Sequence, residues 1–453
     1  MKSVHIYLLG FLLMMPGVLQ AQLFERPIIL EGVKMISPRG EVLEDLMITI
    51  RRGRIAGISQ SGDAPMMSKK IAADGLFVTS GLVDHASVLT LPLGGEGAAD
   101  HWSWDAFDRY DKEAILSVLA TGVTRVHLVP VRSGGISGRS CWVSLEPAGE
   151  NAASSGQFGV LMEEEAALCI DLASGSPVAR MRSYAAILDQ FSAAKDRRDA
   201  LESYDEDLEE YLEELKKWIE EKAEESDEES SDESAEKDEK KDEKKDGEEE
   251  EENKGPEKPV RPGDDEPSDI LLKVVAHQLP VLITARKSAD LINACELIQK
   301  FELDAIIHGA DEAALVMDHL NELENVSFIL DNPANALSAS GPGVIDGQPR
   351  RSADLISVME ENDLDWVIGS GGSGAGLWRM TRKMAGSEAA LSSAQTTNLR
   401  GEKTRRDWVS PGMRHLVLWS GNPASDAAAR PEKILINGLV VWQRPAGTRE
   451  GRF

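Results

Sequence analysis

Short apolar segments alternate with amphipathic segments along the middle of this chain. The apolar segments predict strands at 78–89, 123–131, 281–284, 305–308, 327–330 and 366–369. Between them, apolar positions three and four residues apart predict helices over 111–120, 288–300 and 311–323, with Ser288 as the N-cap of the second. Strands that alternate with helices in this way are typical of a parallel α/β architecture.

Both ends of the chain carry short strand-like runs instead, at 28–30, 34–36, 46–50, 54–58, 416–419 and 434–442. Asn437 and Gly438 favour a type I′ hairpin turn within the last run. Because neither set can bury a core alone, the two ends are predicted to meet in one small composite β-sandwich. We expect 22–78 and 411–453 to form this sandwich, and 79–201 and 270–410 to form the two halves of a distorted (β/α)8 TIM-like barrel.

An acidic insert separates the two halves of the predicted barrel, over 202–269. Most of the formal net charge of −29 lies here, and the rest of the chain shows no basic stripe, so no nucleic-acid partner is expected. Leu208, Tyr211, Leu215 and Trp218 predict an amphipathic helix. The segment after Ala223 has too few apolar residues to offset the entropy of ordering, and is predicted to be disordered. We interpret it as a solvated spacer, with a cation-buffering or partner-docking tail as the alternative.

The first 21 residues have the pattern of a secretory signal peptide. Lys2 precedes an apolar run over 6–19, which is too short to span a bilayer, and Ala21 offers a small residue at the cleavage site. The mature protein is therefore predicted to be exported, periplasmic or secreted, and soluble, with no transmembrane segment. Cys141, Cys169 and Cys295 could form one disulfide in such a compartment, but we expect them to be small buried apolar residues.

Four segments resemble the amidohydrolase superfamily. These are the openings at 44–58 and 81–89 and the closing segments at 415–423 and 431–438, while the glycine-rich run at 133–140 resembles the imidazolonepropionase-like branch. The resemblance implies a barrel that hydrolyses non-peptide C–N bonds with a divalent metal such as zinc, commonly at a binuclear site. It also implies metal ligands at the carboxyl ends of the barrel strands.

Most of the implied ligand positions hold residues that cannot bind a metal. Ala86 and Val88 replace the histidine pair of the first strand, Thr284 replaces the fifth-strand histidine, and Gly371 replaces the eighth-strand aspartate, which leaves His308 as the remnant. Because side chains alternate along a strand, we expect Asp84, Ala86 and Val88 on one face and His85 on the other, unless a bulge redirects His85. No fourth-strand ligand can be placed.

Two classes of function remain open from the sequence. The first is a non-catalytic protein that needs no cofactor and binds a small molecule or a related amidohydrolase. The second is an active amidohydrolase with an atypical or mononuclear metal site, acting on cyclic amide, imide or amidine C–N bonds. Non-metal catalysis by residues drawn from Asp84, Ser137, Arg139 and His308 is a further hypothesis.

A weak ligand-binding site is also predicted at the first glycine-rich loop. Backbone amides near Gly134, Gly135 and Ser137, with the charge of Arg139, could hold an anion. The alternative is that the glycines serve only a tight turn. The same two interpretations apply to the second glycine-rich loop, at 369–376.

Overall fold

The computed structural model describes residues 26–37, 41–92, 94, 97–130, 134–149, 156–232, 255–331, 354–374, 376–378, 381–382 and 409–445, with the backbone alone for 224–232. In chain order the strands are β1 (Ile28–Ile36), β2 (Val42–Arg51), β3 (Arg54–Gln60), β4 (Lys69–Ile71), β5 (Phe77–Ser80), β6 (Leu82–Ser87), β7 (Val123–Leu128), β8 (Gly135–Pro147), β9 (Phe158–Asp171), β10 (Val281–Ala285), β11 (Ala305–Gly309), β12 (Val326–Leu330), β13 (Asp365–Ile368), β14 (His415–Trp419), β15 (Pro431–Ile436) and β16 (Leu439–Gln443).

The helices among these residues are α1 (Ser103–Ala106), α2 (Lys112–Leu119), α3 (Pro177–Asp232), α4 (Glu266–Val275), α5 (Ser288–Phe301), α6 (Met317–Leu320) and α7 (Leu355–Glu361), with a 3₁₀ turn at Ala313–Leu315. None of the described helices is long and apolar enough to cross a membrane. All three cysteines are buried thiols that form no disulfide, as expected for small apolar residues.

Eight strands form a barrel in the order β6-β7-β8-β9-β10-β11-β12-β13. Neighbouring strands are parallel except at β8, which pairs antiparallel with β7 and β9. Beyond β13 the chain closes the seam against β6, where the Gly371 amide donates to the Ala86 carbonyl and the Val88 amide donates to the Gly372 carbonyl, both at 2.8 Å. The predicted distorted TIM-like barrel is confirmed, and the reversed β8 is its main distortion.

The two ends of the chain meet, as predicted, and their strands form one hydrogen-bonded sheet where a β-sandwich was expected. Its order is β16-β15-β14-β5-β1-β2-β3, with β4 paired to β1, and β14 joins the C-terminal strands to β5 in antiparallel register. Leu30, Ile48, Leu418 and Leu435 show that its core takes side chains from both ends. The β15–β16 turn follows the expected type I′ hairpin, since its two central residues, Asn437 and Gly438, both have positive φ.

Two of the three predicted barrel helices form as expected, α2 and α5. The helix predicted over 311–323 is wrong, because the segment breaks into a 3₁₀ turn and the short α6. Its beginning is held outside helical geometry, with Ala310 at φ +47° and the Asp311 carboxylate accepting from Arg286. Ser288 is not an N-cap but the first helical residue of α5, and its amide donates to Glu312 Oε2 at 2.8 Å.

Helix α3 is longer than predicted. It begins at Pro177 and continues to Asp232, so the predicted disorder after Ala223 is wrong for 224–232. Glu and Lys are strong helix formers, and no Gly or Pro interrupts the chain between Pro177 and Asp232. The next part of the predicted disordered stretch, 233–254, lies outside the described residues, and the prediction is also wrong for 255–269, which the structure describes and where α4 begins at Glu266. The chain then returns along α3, with Gly255 against the Trp218 ring and the Gly263 carbonyl accepting from Arg197.

Candidate functional site

Small and aliphatic side chains fill the inside of the barrel. The cluster comprises Ala86, Val129, Ala167, Cys169, Leu282, Ile306, Ile329 and Val367, all almost fully buried. Side chains two residues further along β10, β11 and β12 therefore point to the same interior at the carboxyl ends of the strands. In a barrel of this kind this end, here called the mouth, is where functional residues gather.

Three polar side chains from three successive strands meet at the mouth. Thr284 and His308 are register partners on β10 and β11, with Thr284 Oγ1 3.3 Å from His308 Nδ1. Asp331 directly follows β12, and its Oδ2 lies 3.1 Å from His308 Nε2. The structure thus brings together two of the sequence-predicted positions, Thr284 and His308, with an aspartate that the sequence did not single out.

An arginine guanidinium occupies the centre of this group. Arg286 follows β10, and its Nη1 donates to Asp331 Oδ1 at 2.8 Å and to Asp311 Oδ2 at 3.0 Å. Its Nη2 donates to Asp331 Oδ2 at 2.5 Å, which completes a bidentate pair. The side chains of Asp311 and Asp331 are 0% and 1% exposed, so Arg286 is the counter-cation that these buried carboxylates require.

The charges at the mouth reinforce one another. Burial by itself would raise the pKa of Asp331, but the positive charge of Arg286 and the contact with His308 outweigh it and hold that pKa well below its usual range. Burial would lower the pKa of Arg286, yet Asp331 and Asp311 raise it above its ordinary value. Asp331 is therefore a permanent carboxylate and Arg286 a permanent cation at any physiological pH.

Two glycines make room for this ion pair. Gly371 has φ +58°, and a Cβ placed on it would lie 2.3 Å from Asp331 Oδ2. Gly309 has φ +100°, and a Cβ there would lie 2.8 Å from Arg286 Cγ. The residue that replaces the eighth-strand aspartate is thus in contact with Asp331, and a side chain at this position would force the Asp331 carboxylate to move.

A further aspartate, Asp171, stands at the end of β9. It is the register partner of Thr284 and is fully buried, while its Oδ1 accepts from the amides of Ala173 and Ser174 at 3.0 and 3.2 Å. This is the fourth-strand position for which the sequence offered no candidate. The next helix supplies Arg180, which pairs with the buried Asp290.

The predicted alternation on the first barrel strand is wrong. The register between β6 and β7 shifts between Asp84 and Ser87, which marks a bulge. Ala86 faces the barrel interior and Val88 is half-buried at the end of the strand, as expected. Asp84 instead bonds to Ser370, at 2.6 Å from its hydroxyl and 2.7 Å from its amide.

His85 is redirected by this bulge, but not to the mouth. The His85 ring lies edge-on to the Trp142 ring, with 5.6 Å between ring centres. The His127 ring stacks on the same indole, with 4.6 Å between ring centres. His127 Nδ1 is 3.0 Å from the His85 carbonyl and Nε2 is 2.7 Å from Ser140 Oγ. Ser140 Oγ also donates to the Ala167 carbonyl at 3.1 Å, so His127 belongs to a buried hydrogen-bonded chain between β6, β8 and β9.

Among the described residues, no other histidine reaches the mouth. The chain has eight, of which His277 contacts Asp304 at 3.3 Å, His319 lies on α6 and His415 begins β14. His101 belongs to the segment that covers β8, where its carbonyl accepts from the Arg139 amide. The last, His5, lies outside the described residues.

The first glycine-rich loop is largely a strand. Gly135, Ser137 and Arg139 belong to β8, and only Gly134 precedes it. The Arg139 amide donates to the His101 carbonyl at 2.7 Å, and its guanidinium pairs with Glu165 and donates to the Asp100 carbonyl. Anion binding at Gly134, Gly135, Ser137 and Arg139 stays a prediction, without the loop geometry on which it was based.

The second loop closes the barrel. Ser370 and Gly372 bond to β6, and a Cβ on Gly374 would lie 3.0 Å from Asp84 Oδ2. The four residues of the non-metal hypothesis therefore have separate environments: Asp84 bonds to Ser370, His308 to Thr284 and Asp331, Arg139 to Glu165, and Ser137 is buried in β8.

The residues at the mouth do not fit the metal centre that the resemblance implies. Ala86 and Val88 present hydrocarbon, and the oxygens of Asp331 and one oxygen of Asp311 already accept from Arg286. In the described part of the chain, no three His, Cys, Asp or Glu side chains are grouped as metal ligands. What the arrangement can do is hold fixed charges and hydrogen-bonding groups at the end of a closed barrel.

No protein-family model matches the sequence, and no curated protein matches it. The structure superposes on an amidohydrolase from Thermotoga maritima with a TM-score of 0.63 and 16% identity, over 92% of this chain and 100% of that one. The chain has an amidohydrolase fold. This confirms the fold that the four sequence segments predicted, including the composite sheet built from both chain ends.

Two further crystal structures are similar to the chain at lower scores. A prolidase complexed with N-methylphosphonate-L-proline gives a TM-score of 0.48 with 14% identity, over 92% of this chain and 100% of that one. N-isopropylammelide isopropylaminohydrolase from Burkholderia multivorans gives 0.44 with 13% identity, over 92% and 99%. The amidohydrolase fold is assigned from the Thermotoga protein.

Within the amidohydrolase fold, the residues that sequence reasoning missed share one signal. Asp171, Arg286 and Asp331 each end or directly follow a buried strand whose carboxyl end is at the mouth. A charged residue at that position is a functional candidate in any barrel of this kind, whatever its type.

Proposed function

We propose that this protein is an exported binding or assembly protein on an amidohydrolase fold, in which metal-dependent hydrolysis of non-peptide C–N bonds has been lost. The observation that carries the proposal is the Arg286 guanidinium, which bridges Asp331 and Asp311 at the mouth. A catalytic zinc needs three protein ligands and one open position for water. The bridging guanidinium takes the carboxylates that could serve as such ligands.

The acid–base properties of the mouth support the same conclusion. Hydrolysis needs a base whose pKa lies near the working pH. The pKa of Asp331 is held well below its usual range by Arg286 and His308, against the effect of burial, so its carboxylate is a weak base. Gly371 offers no side chain in place of the eighth-strand aspartate, and Asp331 leaves no room for one.

A surviving hydrolase is the second candidate, and one observation favours it. His308 Nε2 and Asp331 Oδ2 are 3.1 Å apart at the mouth, and Asp171 ends the neighbouring strand. An atypical or mononuclear site would have to draw its ligands from these residues. The reaction class would then be hydrolysis of a cyclic amide, imide or amidine.

The metal content of the mature chain separates the two candidates. Residues 22–453 would be purified without a histidine tag or chelators, and zinc, manganese and iron measured by elemental mass spectrometry alongside hydrolysis of succinimide. We expect substoichiometric metal and no hydrolysis. One metal per chain that is lost in His308→Ala, together with hydrolysis, would establish the second candidate instead.

Binding and export have their own measurements. Native mass spectrometry of the protein isolated from its own host should reveal a retained small molecule or an amidohydrolase subunit. A bare monomer would count against both kinds of partner. N-terminal sequencing of that material should begin at Gln22, while a chain that begins at Met1 would contradict export.

A further inference from the structure

We propose that the second half of α3 is a recognition surface for basic, proline-rich segments in the polyproline II conformation. The surface is an apolar stripe formed by Tyr204, Leu208, Tyr211, Leu215 and Trp218. Residues 255–263, here called the return segment, fill the stripe within the same chain, and a partner segment with the same proline spacing takes their place when they are displaced. The stripe shares no residue with the mouth, so the inference is independent of the proposed function.

The first support is the burial pattern of α3. From Leu201 to Trp218 the half-buried side chains recur three and four residues apart, and every side chain between them is exposed. This spacing places the half-buried side chains on one narrow face of the helix. Another part of the molecule therefore covers this face along its whole length, and only this face.

The second support is a matching pattern in the return segment. Its three prolines, Pro256, Pro259 and Pro262, are half-buried, and the four residues between them are exposed. The segment belongs to no helix or strand, and each proline fixes its own φ and restricts the residue before it to extended conformations. Because polyproline II has three residues per turn, the three proline rings lie on one face of the segment. That face is the half-buried one.

The two half-buried faces belong to neighbouring elements. At one end of the return segment, a Cβ on Gly255 would lie 3.4 Å from the Trp218 ring. At the other end, the Gly263 carbonyl accepts from Arg197 Nη1 at 2.7 Å. The segment therefore runs antiparallel to α3, from Trp218 back to Arg197, and its proline face and the stripe cover one another.

The third support is the agreement between the two repeats. The aromatic residues of the stripe are seven positions apart, which is about 10.5 Å along an α-helix, and prolines three positions apart recur about every 9.3 Å in polyproline II. Each proline ring can therefore lie beside one aromatic ring. Proteins bind polyproline II segments in grooves lined by aromatic side chains, because such segments are preformed and lose little conformational entropy. The stripe has the side chains and the repeat of such a surface.

Charge determines which proline-rich segments fit. Residues 202–221 of α3 include ten acidic residues and two lysines, whereas in the return segment Lys258 and Arg261 outnumber the acidic Glu257. The acidic flanks of the stripe attract a basic segment. They also repel a second copy of α3, so a coiled coil of two α3 helices is disfavoured although the stripe has heptad spacing.

The test is binding of a fluorescent peptide with the sequence of the return segment, GPEKPVRPG, measured by anisotropy with the full mature chain. In wild type the return segment competes at an effective concentration on the order of millimolar. A released variant, with Pro256→Ala, Pro259→Ala and Pro262→Ala together, removes this competitor. We expect the released variant to bind the peptide roughly tenfold more tightly than wild type, or better.

Two controls test whether the stripe and the proline spacing are responsible. In the released variant, Trp218→Ala should weaken peptide binding severalfold, whereas Ile219→Ala, at a neighbouring position that is 53% exposed and outside the stripe, should not. The rearranged peptide GPPEKVPRG has the same composition and charge without the three-residue spacing, and should bind severalfold more weakly. Equal binding of the two peptides, or no gain in the released variant, overturns the inference.

Hydrogen exchange of 204–218 provides a second measurement that needs no released variant. Pro259→Val with Val260→Pro preserves composition but breaks the proline spacing, and should increase exchange of this part of α3 severalfold. The matched control is Val260→Arg with Arg261→Val, which preserves both composition and spacing and should leave exchange unchanged. Equal exchange in the two double variants would show that proline spacing does not determine docking, and would overturn the inference.

Discussion

At the scale of single residues, Asp84 shows how a motif position of the first barrel strand serves the structure. Its carboxylate is fully buried and accepts from the hydroxyl and amide of Ser370 and from the Ala86 amide. Burial raises the pKa of Asp84 from 3.8 to about 6, although the bonds from Ser370 and Ala86 oppose the increase. Asp84 therefore ties the seam between β6 and the segment after β13.

Asp84 should make stability depend on pH. Because its pKa is higher in the folded state, the folded protein binds the proton more tightly than the unfolded chain does. The Asp84 contribution to the free energy of unfolding should therefore fall by about 3 kcal/mol as pH rises from about 4 to about 6. Urea titrations at several pH values should show this slope in wild type and not in Asp84→Asn.

A control variant sharpens the Asp84 prediction. Ser370→Ala removes a hydroxyl that stabilises the carboxylate, so the upper limit of the pH window should move upward. Equal slopes in wild type and Asp84→Asn would show that another group titrates in this range.

Gly371 gives a second prediction at this scale. Replacing it with Asp would restore the residue type that the amidohydrolase resemblance implies, but a Cβ would lie 2.3 Å from Asp331 Oδ2 at φ +58°. We expect Gly371→Asp to lower the free energy of unfolding by about 3 kcal/mol or more, since it adds strain and a like charge. Gly376→Asp is the matched control, because nothing lies within 4 Å of its Cβ position. Equal unfolding midpoints would contradict the close packing at Gly371.

At the scale of elements, the sequence predicts β10 to β13 well because each is a short apolar run between turn residues. It does not predict the β8–β9 hairpin. Gly134, Gly135 and Gly138 suggest a loop, and the three consecutive glutamates at 163–165 conceal β9. The missed hairpin also conceals Asp171, whose place at the mouth depends on where β9 ends.

The candidate site is less predictable than the fold for a related reason. His308 and Thr284 are found from motif positions on regular strands. Arg286 and Asp331 lie outside the motif positions. They meet only because of the way in which β10 and β12 are staggered around the barrel. The bulge in β6 is a similar case. It directs Asp84 towards Ser370, a residue far away in the sequence, while Ala86 faces the barrel interior.

Helix α3 and the segment that returns along it provide an element-scale prediction. Arg197 ties the two together, through Asp269 Oδ1 and the Gly263 carbonyl, each at 2.7 Å. Arg197→Ala should increase hydrogen exchange of 255–269 severalfold, because these contacts oppose local opening. Arg198→Ala is the control, since its partners Asp199 and Glu202 lie on the same helix. An equal effect of both variants would mean that helical charge, and not the tether, determines the exchange.

At the scale of the whole molecule, one side chain joins the composite sheet to the barrel. Trp419 on β14 is fully buried, packs against Trp378 at a ring distance of 5.3 Å, and donates from Nε1 to Thr79 Oγ1 at 2.8 Å. The same indole belongs to the core that surrounds the barrel. The sheet and the barrel should therefore unfold together in a single transition.

Trp419→Ala should weaken this coupling. Loss of a buried tryptophan costs about 3–5 kcal/mol, and here the cavity lies between the two parts of the molecule. We expect calorimetry to show a lower unfolding midpoint and a transition that broadens or splits, because the sheet should then unfold at a lower temperature than the barrel. Trp442→Ala, at a half-buried position on β16, should leave a single transition. If Trp419→Ala lowers the midpoint but keeps one sharp transition, the chain ends and the barrel are coupled by the rest of their interface, and β14 is only one of several contacts between them.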